Sequence, residues 1–252
     1  MTKYTKHEPG TFCWIELATS DGAAAKRFYT DLFGWTANEM PMGEGQPPYI
    51  MAQKDGRDVG AMYENKQVPP NWLSYVCVDN ADETAAKAKS LGAKAMMDPF
   101  DVFDLGRMVV LADPEGAHIA LWQPKKHIGA QVKNEDGTLC WNELQTRQRD
   151  RAQEFYAKLF GWTMKESPEY VEIHVGDQAI GGLMTMQPQV PAQVPANWLA
   201  YFWADDVDAS VQKANAGGAH TVVPPMDIPN VGRFAVLSDP QGAVFALFKG
   251  SM

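Results

Sequence analysis

The segment "RFYTDLFGW" at residues 27–35 returns as "EFYAKLFGW" at residues 154–162, with the same Phe-Tyr pair and the same Leu-Phe-Gly-Trp ending. The echo, at an offset of about 127 residues, extends outward in both directions. Upstream, "GTFCWIELAT" (10–19) matches "GTLCWNELQT" (137–146). Downstream, "PPNWLSYVCVDNAD" (69–82) matches "PANWLAYFWADDVD" (195–208), and "DLGRMVVLADPEGAHIALW" (104–122) matches "NVGRFAVLSDPQGAVFALF" (230–248). Self-similarity of this length marks a duplicated unit. The reading is two homologous domains, 1–123 and 138–252, joined by a polar linker at 124–137.

Inside each half a strand, a helix and a run of short strands follow one another twice. "CWIELAT" alternates as a strand, and "SDGAAAKRFYTDLFG" reads as a helix capped by Ser20 or Asp21 and stopped at Gly34. Short strands follow, with "KDG" as a hairpin turn, and then the order restarts with "WLSYVCVD" and a helix over "ADETAAKAKSLGAK". Each domain is therefore predicted to hold two βαβββ units, an α+β arrangement in which helices cover the outside of a curved sheet. The other face of that sheet is left to line a cavity.

Composition narrows the function. A net charge of −9 over 252 residues, without a block of Lys and Arg, argues against nucleic acid. No run approaches the roughly 18 apolar residues of a membrane span, and "MTKYTKHEPG" lacks the apolar core of a signal peptide. No membrane partner and a cytoplasmic location are expected. Cys13, Cys77 and Cys140 are an odd count without CxxC spacing, so neither a disulfide framework nor a thiolate zinc site is indicated. A phosphate loop and a GxSxG elbow are also missing.

"AKRFYTDLFGW" and "DPEGAHIALW", with their second copies, resemble the vicinal oxygen chelate superfamily of glyoxalase I, bleomycin-resistance proteins and extradiol dioxygenases. The likeness runs over essentially the whole chain, including "KHIGAQVKNEDGTLCWNEL". It implies the fold strongly and the activity weakly, because this fold hosts unrelated chemistries. Metal-dependent members hold a divalent ion with His, Gln or Glu from first strands and Glu from last strands. By resemblance, those places fall here on Trp14 and Trp141, on Leu73 or Ser74, on Leu199 or Ala200, and on Ala120 and Ala246. No cofactor is expected from such a set. A displaced divalent metal held by Glu16 and His118 is the one alternative the residues offer, since Glu16 lies about 6.6 Å along the strand from Trp14.

Strand alternation puts Trp14, Glu16, Tyr75, Cys77, His118 and Trp122 on the inner face of the first domain. It puts Trp141, Glu143, Gln145, Tyr201, Trp203 and Phe248 on that of the second. Large flat rings around one carboxylate suit a small planar or carbonyl-containing molecule. Arg107 and Arg233, at matching Gly-Arg positions, are candidate ion partners for the two carboxylates. The leading expectation is a small-molecule binder, monomeric or loosely dimeric. The alternatives are a lyase, isomerase or hydroxylase with Glu16 or Glu143 as general base, and a non-catalytic assembly module.

Overall fold

The computed structural model describes residues 3–251. Strand β1 (Phe12–Thr19) sorts its side chains between two faces, with Ile15 and Leu17 in one core and Trp14 in another. Asp21 caps α1 (Gly22–Phe33) by accepting from the Ala24 N–H at 2.9 Å, and Gly34 ends the helix at φ 67. Then come β2 (Thr36–Met40), β3 (Tyr49–Lys54) and β4 (Arg57–Glu64). The second unit is β5 (Asn71–Cys77), α2 (Ala81–Ser90), β6 (Lys94–Ala95), β7 (Phe100–Val102), β8 (Gly106–Ala112) and β9 (His118–Pro124).

These strands form one sheet in the order β2-β3-β4-β1-β5-β9-β8-β6, with β7 also on β8. β1 runs parallel to β4 and β5 parallel to β9, each pair bridged by a helical crossover. β1 and β5 meet antiparallel at the centre, which joins two βαβββ units edge to edge.

The second half repeats the plan with β10 (Leu139–Thr146), α3 (Arg149–Phe160), β11 (Thr163–Glu166), β12 (Val171–Val175) and β13 (Gln178–Thr185). Its last unit is β14 (Asn197–Trp203), α4 (Val207–Ala216), β15 (His220–Ile228), β16 (Gly232–Ser238) and β17 (Val244–Gly250). The order is β11-β12-β13-β10-β14-β17-β16-β15. One departure from the βαβββ pattern is that β6 and β7 together replace the single β15.

The helices cover the outer face of each sheet, and those two outer faces pack on each other. Phe28, Tyr29, Leu32 and Phe33 of α1 share a core with Phe202, Val211 and Phe245 of the second half. Ala81, Ala85 and Ala88 of α2 share another with Phe155, Tyr156 and Leu159 of α3. The recurring motifs are therefore seam residues. The Trp35 ring N–H donates to the Gly137 carbonyl at 2.8 Å, and that of Trp162 donates to the Gly10 carbonyl at 2.7 Å. Lys213 and Lys87 donate across the seam to the carbonyls of Leu32 and Leu159, near the ends of α1 and α3, where cations are favoured.

Candidate functional site

On the inner face of the first sheet, Glu16 is half-buried and accepts a 2.8 Å hydrogen bond from the Tyr49 hydroxyl. Tyr75, directly across from Trp14 on β5, stands beside the same carboxyl, and Trp14 stands beside the Tyr49 hydroxyl. The second sheet repeats this constellation. Glu143 accepts from Tyr201 at 3.1 Å and from Gln145 at 3.3 Å, and the Tyr170 hydroxyl stands beside it. The Trp141 ring N–H donates to the Tyr170 hydroxyl at 2.8 Å.

Burial pushes both carboxyls above the usual glutamate range, against the opposing pull of the tyrosine hydrogen bonds and, at Glu143, of Gln145. Burial and the adjacent carboxylate raise all four phenols, so they stay protonated and donate. Each glutamate thus presents an acceptor with lone pairs to spare beside an indole.

The anticipated arginine partners are elsewhere, and that expectation is corrected. Arg107 makes a two-pronged pair with Asp82 at 2.6 and 2.9 Å, and Arg233 makes the same pair with Asp208. Both aspartates sit in the first turn of a helix, on the outer layer, while the glutamates face inward. His118 is exposed at the start of β9, and no hydrogen bond joins it to Glu16 among the described residues.

The two inner faces are not equally open. In the first, Trp14, Tyr75, Cys77 and Trp122 are buried in one cluster with Ala130. The segment after β9 lies across its end: His127 stacks edge-on to Trp14 at 4.8 Å, its carbonyl accepts from the Trp122 ring N–H at 2.9 Å, and the Ala130 N–H donates to the Cys13 carbonyl at 2.7 Å. Trp122 lies flat on Gly106, where a Cβ would fall inside the indole. In the second, Tyr201 is buried, but Trp141, Gln145, Trp203 and Phe248 are half-buried. Trp203 leans to the sheet end, where its ring N–H donates to Asp205 at 2.8 Å. Gly182 lets the Tyr170 ring close over β13, since a Cβ there would overlap the phenol.

Two participants escaped the sequence reading, Tyr49 and Tyr170. Their signal was their matched place, one residue before Ile50 and Val171 at the start of β3 and β12. His127, which no sequence motif singles out, is a third: its ring lies 3.5 Å from Asp58 and packs on Trp14.

The donor set does not fit the metal of metal-dependent members. Ala120 and Ala246 are fully buried at the last-strand places, and Trp14 and Trp141 carry no free lone pair for a metal. Among the described residues, no three His, Cys, Asp or Glu side chains converge as a metal-holding group.

A family model described as the Glyoxalase/Bleomycin resistance protein/Dioxygenase superfamily matches residues 11–121 and again residues 138–247. The chain belongs to this superfamily. Among its superfamily relatives, the Mycobacterium tuberculosis protein CFP32, whose name assigns it provisionally to the glyoxylases, is 42% identical over 99% of this chain and 98% of its own. The anthracycline biosynthesis protein DnrV of Streptomyces peucetius is 33% identical over 96% and 94%. The Mn(II)-bound glyoxalase of Novosphingobium aromaticivorans shares the fold at a TM-score of 0.66 and 13% identity, over 95% of this chain and 82% of its own. An extradiol ring-cleaving dioxygenase from B. fuscum does so at 0.68 and 14%, over 99% and 75%. Among the described residues, no helix is long and apolar enough to cross a membrane.

Proposed function

We infer that this protein binds a small planar organic molecule on the inner face of its second half, without the metal of its metal-dependent relatives. Glu143 is the polar anchor, Trp141 and Phe248 are the stacking walls, and Tyr170 and Tyr201 hold the carboxyl in place. The observation that carries the reading is the Trp141–Tyr170–Glu143–Tyr201 constellation, with Trp141 and Tyr170 half-buried and, among the described residues, no cation paired to the carboxyl. A ligand hydroxyl would supply the missing donor, and an aromatic skeleton would cover the rings. The relative named for anthracycline biosynthesis is in keeping with a polycyclic aromatic ligand. In the first half the rings of Trp14 and Tyr75 beside Glu16 are buried, which leaves less ring surface for a ligand, although Glu16 itself is half-buried where Glu143 is buried.

The test is quenching of tryptophan fluorescence by the hydroxyanthraquinone alizarin. Saturable quenching that weakens about tenfold in Glu143→Gln and in Trp141→Ala supports the reading. Quenching equal in wild type and both variants sinks it.

One observation favours a second reading, an enzyme that removes a proton next to a carbonyl. The carboxyl of Glu143 is raised by burial, the direction a general base at neutral pH requires. Turnover lost in Glu143→Gln while alizarin binding persists would select this reading over simple binding.

A further inference from the structure

The duplication provides an internal control for a cleft far from the inner faces. Between α1 and α4, a cleft of about 290 Å3 is lined by Arg27, Phe28, Leu32, Lys213, Gly217 and Gln241. Phe28 and Leu32 are buried and form an apolar floor, while Lys213 spends one donor on the Leu32 carbonyl at 3.2 Å. The twin groove between α2 and α3 has Leu91 where this one has Gly217, Glu154 for Arg27 and Glu115 for Gln241.

Those three differences open and equip the cleft. Leu91 packs against the core of its own groove, whereas a Cβ at Gly217 would already stand 3.2 Å from the Phe28 ring. Glu115 is committed to the start of α3: it accepts from the Thr146 hydroxyl and, at 3.3 Å, from the N–H groups of Arg147 and Gln148, because Gln148 supplies no side-chain cap. Asp21 already caps α1, so Gln241 has no such duty. Its Oε1 is buried without a hydrogen-bond partner among the described residues, which is costly in a finished fold. The Arg27 guanidinium, on an exposed residue, also makes no ion pair or hydrogen bond among the described residues. Two cations face one carboxylate, Asp31, so the lining is positive.

We propose that the α1–α4 cleft is a second binding site, for a small organic carboxylate carrying a hydroxyl or amine donor. Arg27 takes the carboxylate, Phe28 and Leu32 carry the carbon skeleton, and Gln241 Oε1 accepts from the donor. The volume is at the low end of the roughly 300–1,000 Å3 of small-molecule sites, so the ligand is small. An occupant touches α1 of one half and α4 of the other, and binding there stabilises the seam by mass action.

3-Hydroxybenzoate, with a carboxylate and a hydroxyl too far from it on the ring to bond it, is the probe. Isothermal titration calorimetry is expected to show saturable one-to-one binding, with an upward shift of the melting temperature. Gly217→Leu, which installs the residue of the twin groove at a position whose φ of −80 needs no glycine but whose Cβ must press the Phe28 ring aside, abolishes the heat. Arg27→Glu weakens binding about tenfold or more, and carries the test alone if Gly217→Leu does not fold. Glu16→Gln and Glu143→Gln leave the affinity unchanged. Absence of 3-hydroxybenzoate binding, undiminished binding in the cleft variants, or loss in the two glutamate variants overturns the proposal.

Discussion

The Tyr29 hydroxyl in the first half donates a 2.9 Å hydrogen bond to Asp239 in the second. The reciprocal bond, from Tyr156 to Asp113, is 3.0 Å. Behind each phenol a buried indole donates in turn, Trp72 to Tyr29 at 3.0 Å and Trp198 to Tyr156 at 2.9 Å. Each aspartate begins a DPxG turn and also accepts two backbone N–H groups, so the turn of one half is held by the helix of the other. Tyr29→Phe and Tyr156→Phe each strand an indole N–H and a carboxyl oxygen. Each is expected to cost about 1–3 kcal/mol in urea unfolding, nearly additively because the two relays are separate. A loss below about 0.3 kcal/mol in both would show that the relays contribute nothing to the seam.

Burial raises the Glu143 carboxyl, so the folded state favours its neutral form. The stability this confers is fully present below the unfolded glutamate value of about 4.3 and is lost as pH rises through the folded value. Glu143→Gln, neutral at every pH, is expected to gain stability relative to wild type between pH 4 and pH 7 in parallel denaturant titrations. A gap that stays constant across that range would contradict the burial argument.

His7 is held near neutrality's acid side by burial and by the charge of Lys133, which lower it from 6.5 to about 4. Its ring bonds the Ala130 carbonyl at 2.7 Å and so ties the amino-terminal segment to the chain after β9. The lowered value means stability is complete above pH 6.5 and is lost as pH falls towards 4, by at most about 3 kcal/mol. His7→Asn should flatten the acid limb of the stability profile over that window.

Gly182 stands opposite Glu143 where the first half has Ala61 opposite Glu16. Adding the methyl group in Gly182→Ala pushes Tyr170 off β13 and breaks its bond from Trp141. The expected cost is about 1–3 kcal/mol, with alizarin binding reduced alongside. A melting temperature equal to wild type would mean that Tyr170 relaxes without loss.

Chelation should be silent. On the reading that the family's metal places fall on alanine and tryptophan here, dialysis against EDTA is expected to leave the melting temperature and alizarin quenching unchanged. A drop in either would reveal an ion held by a donor set other than the family's.

The duplication, the βαβββ order and the pairing of Trp14 with Glu16 and Trp141 with Glu143 on inner faces were legible in the chain. They depend on alternation with period two, on caps such as Asp21 and on stops such as Gly34, all of which act within a few residues. What the sequence left open was which distant groups meet. Arg107 and Glu16 were equally plausible partners along the chain, yet the helix start brings Asp82 to Arg107 instead, and Tyr49 arrives at Glu16 from a strand two places away. The segment after β9 folds over Trp14, and the empty place of Leu91 at Gly217 opens a cleft only because α1 from the other half lies beside it. Local pattern fixes which way a side chain points. Only the packing of one half on the other fixes what it meets, because burial removes water as the default partner and leaves each polar group to the neighbours the fold supplies.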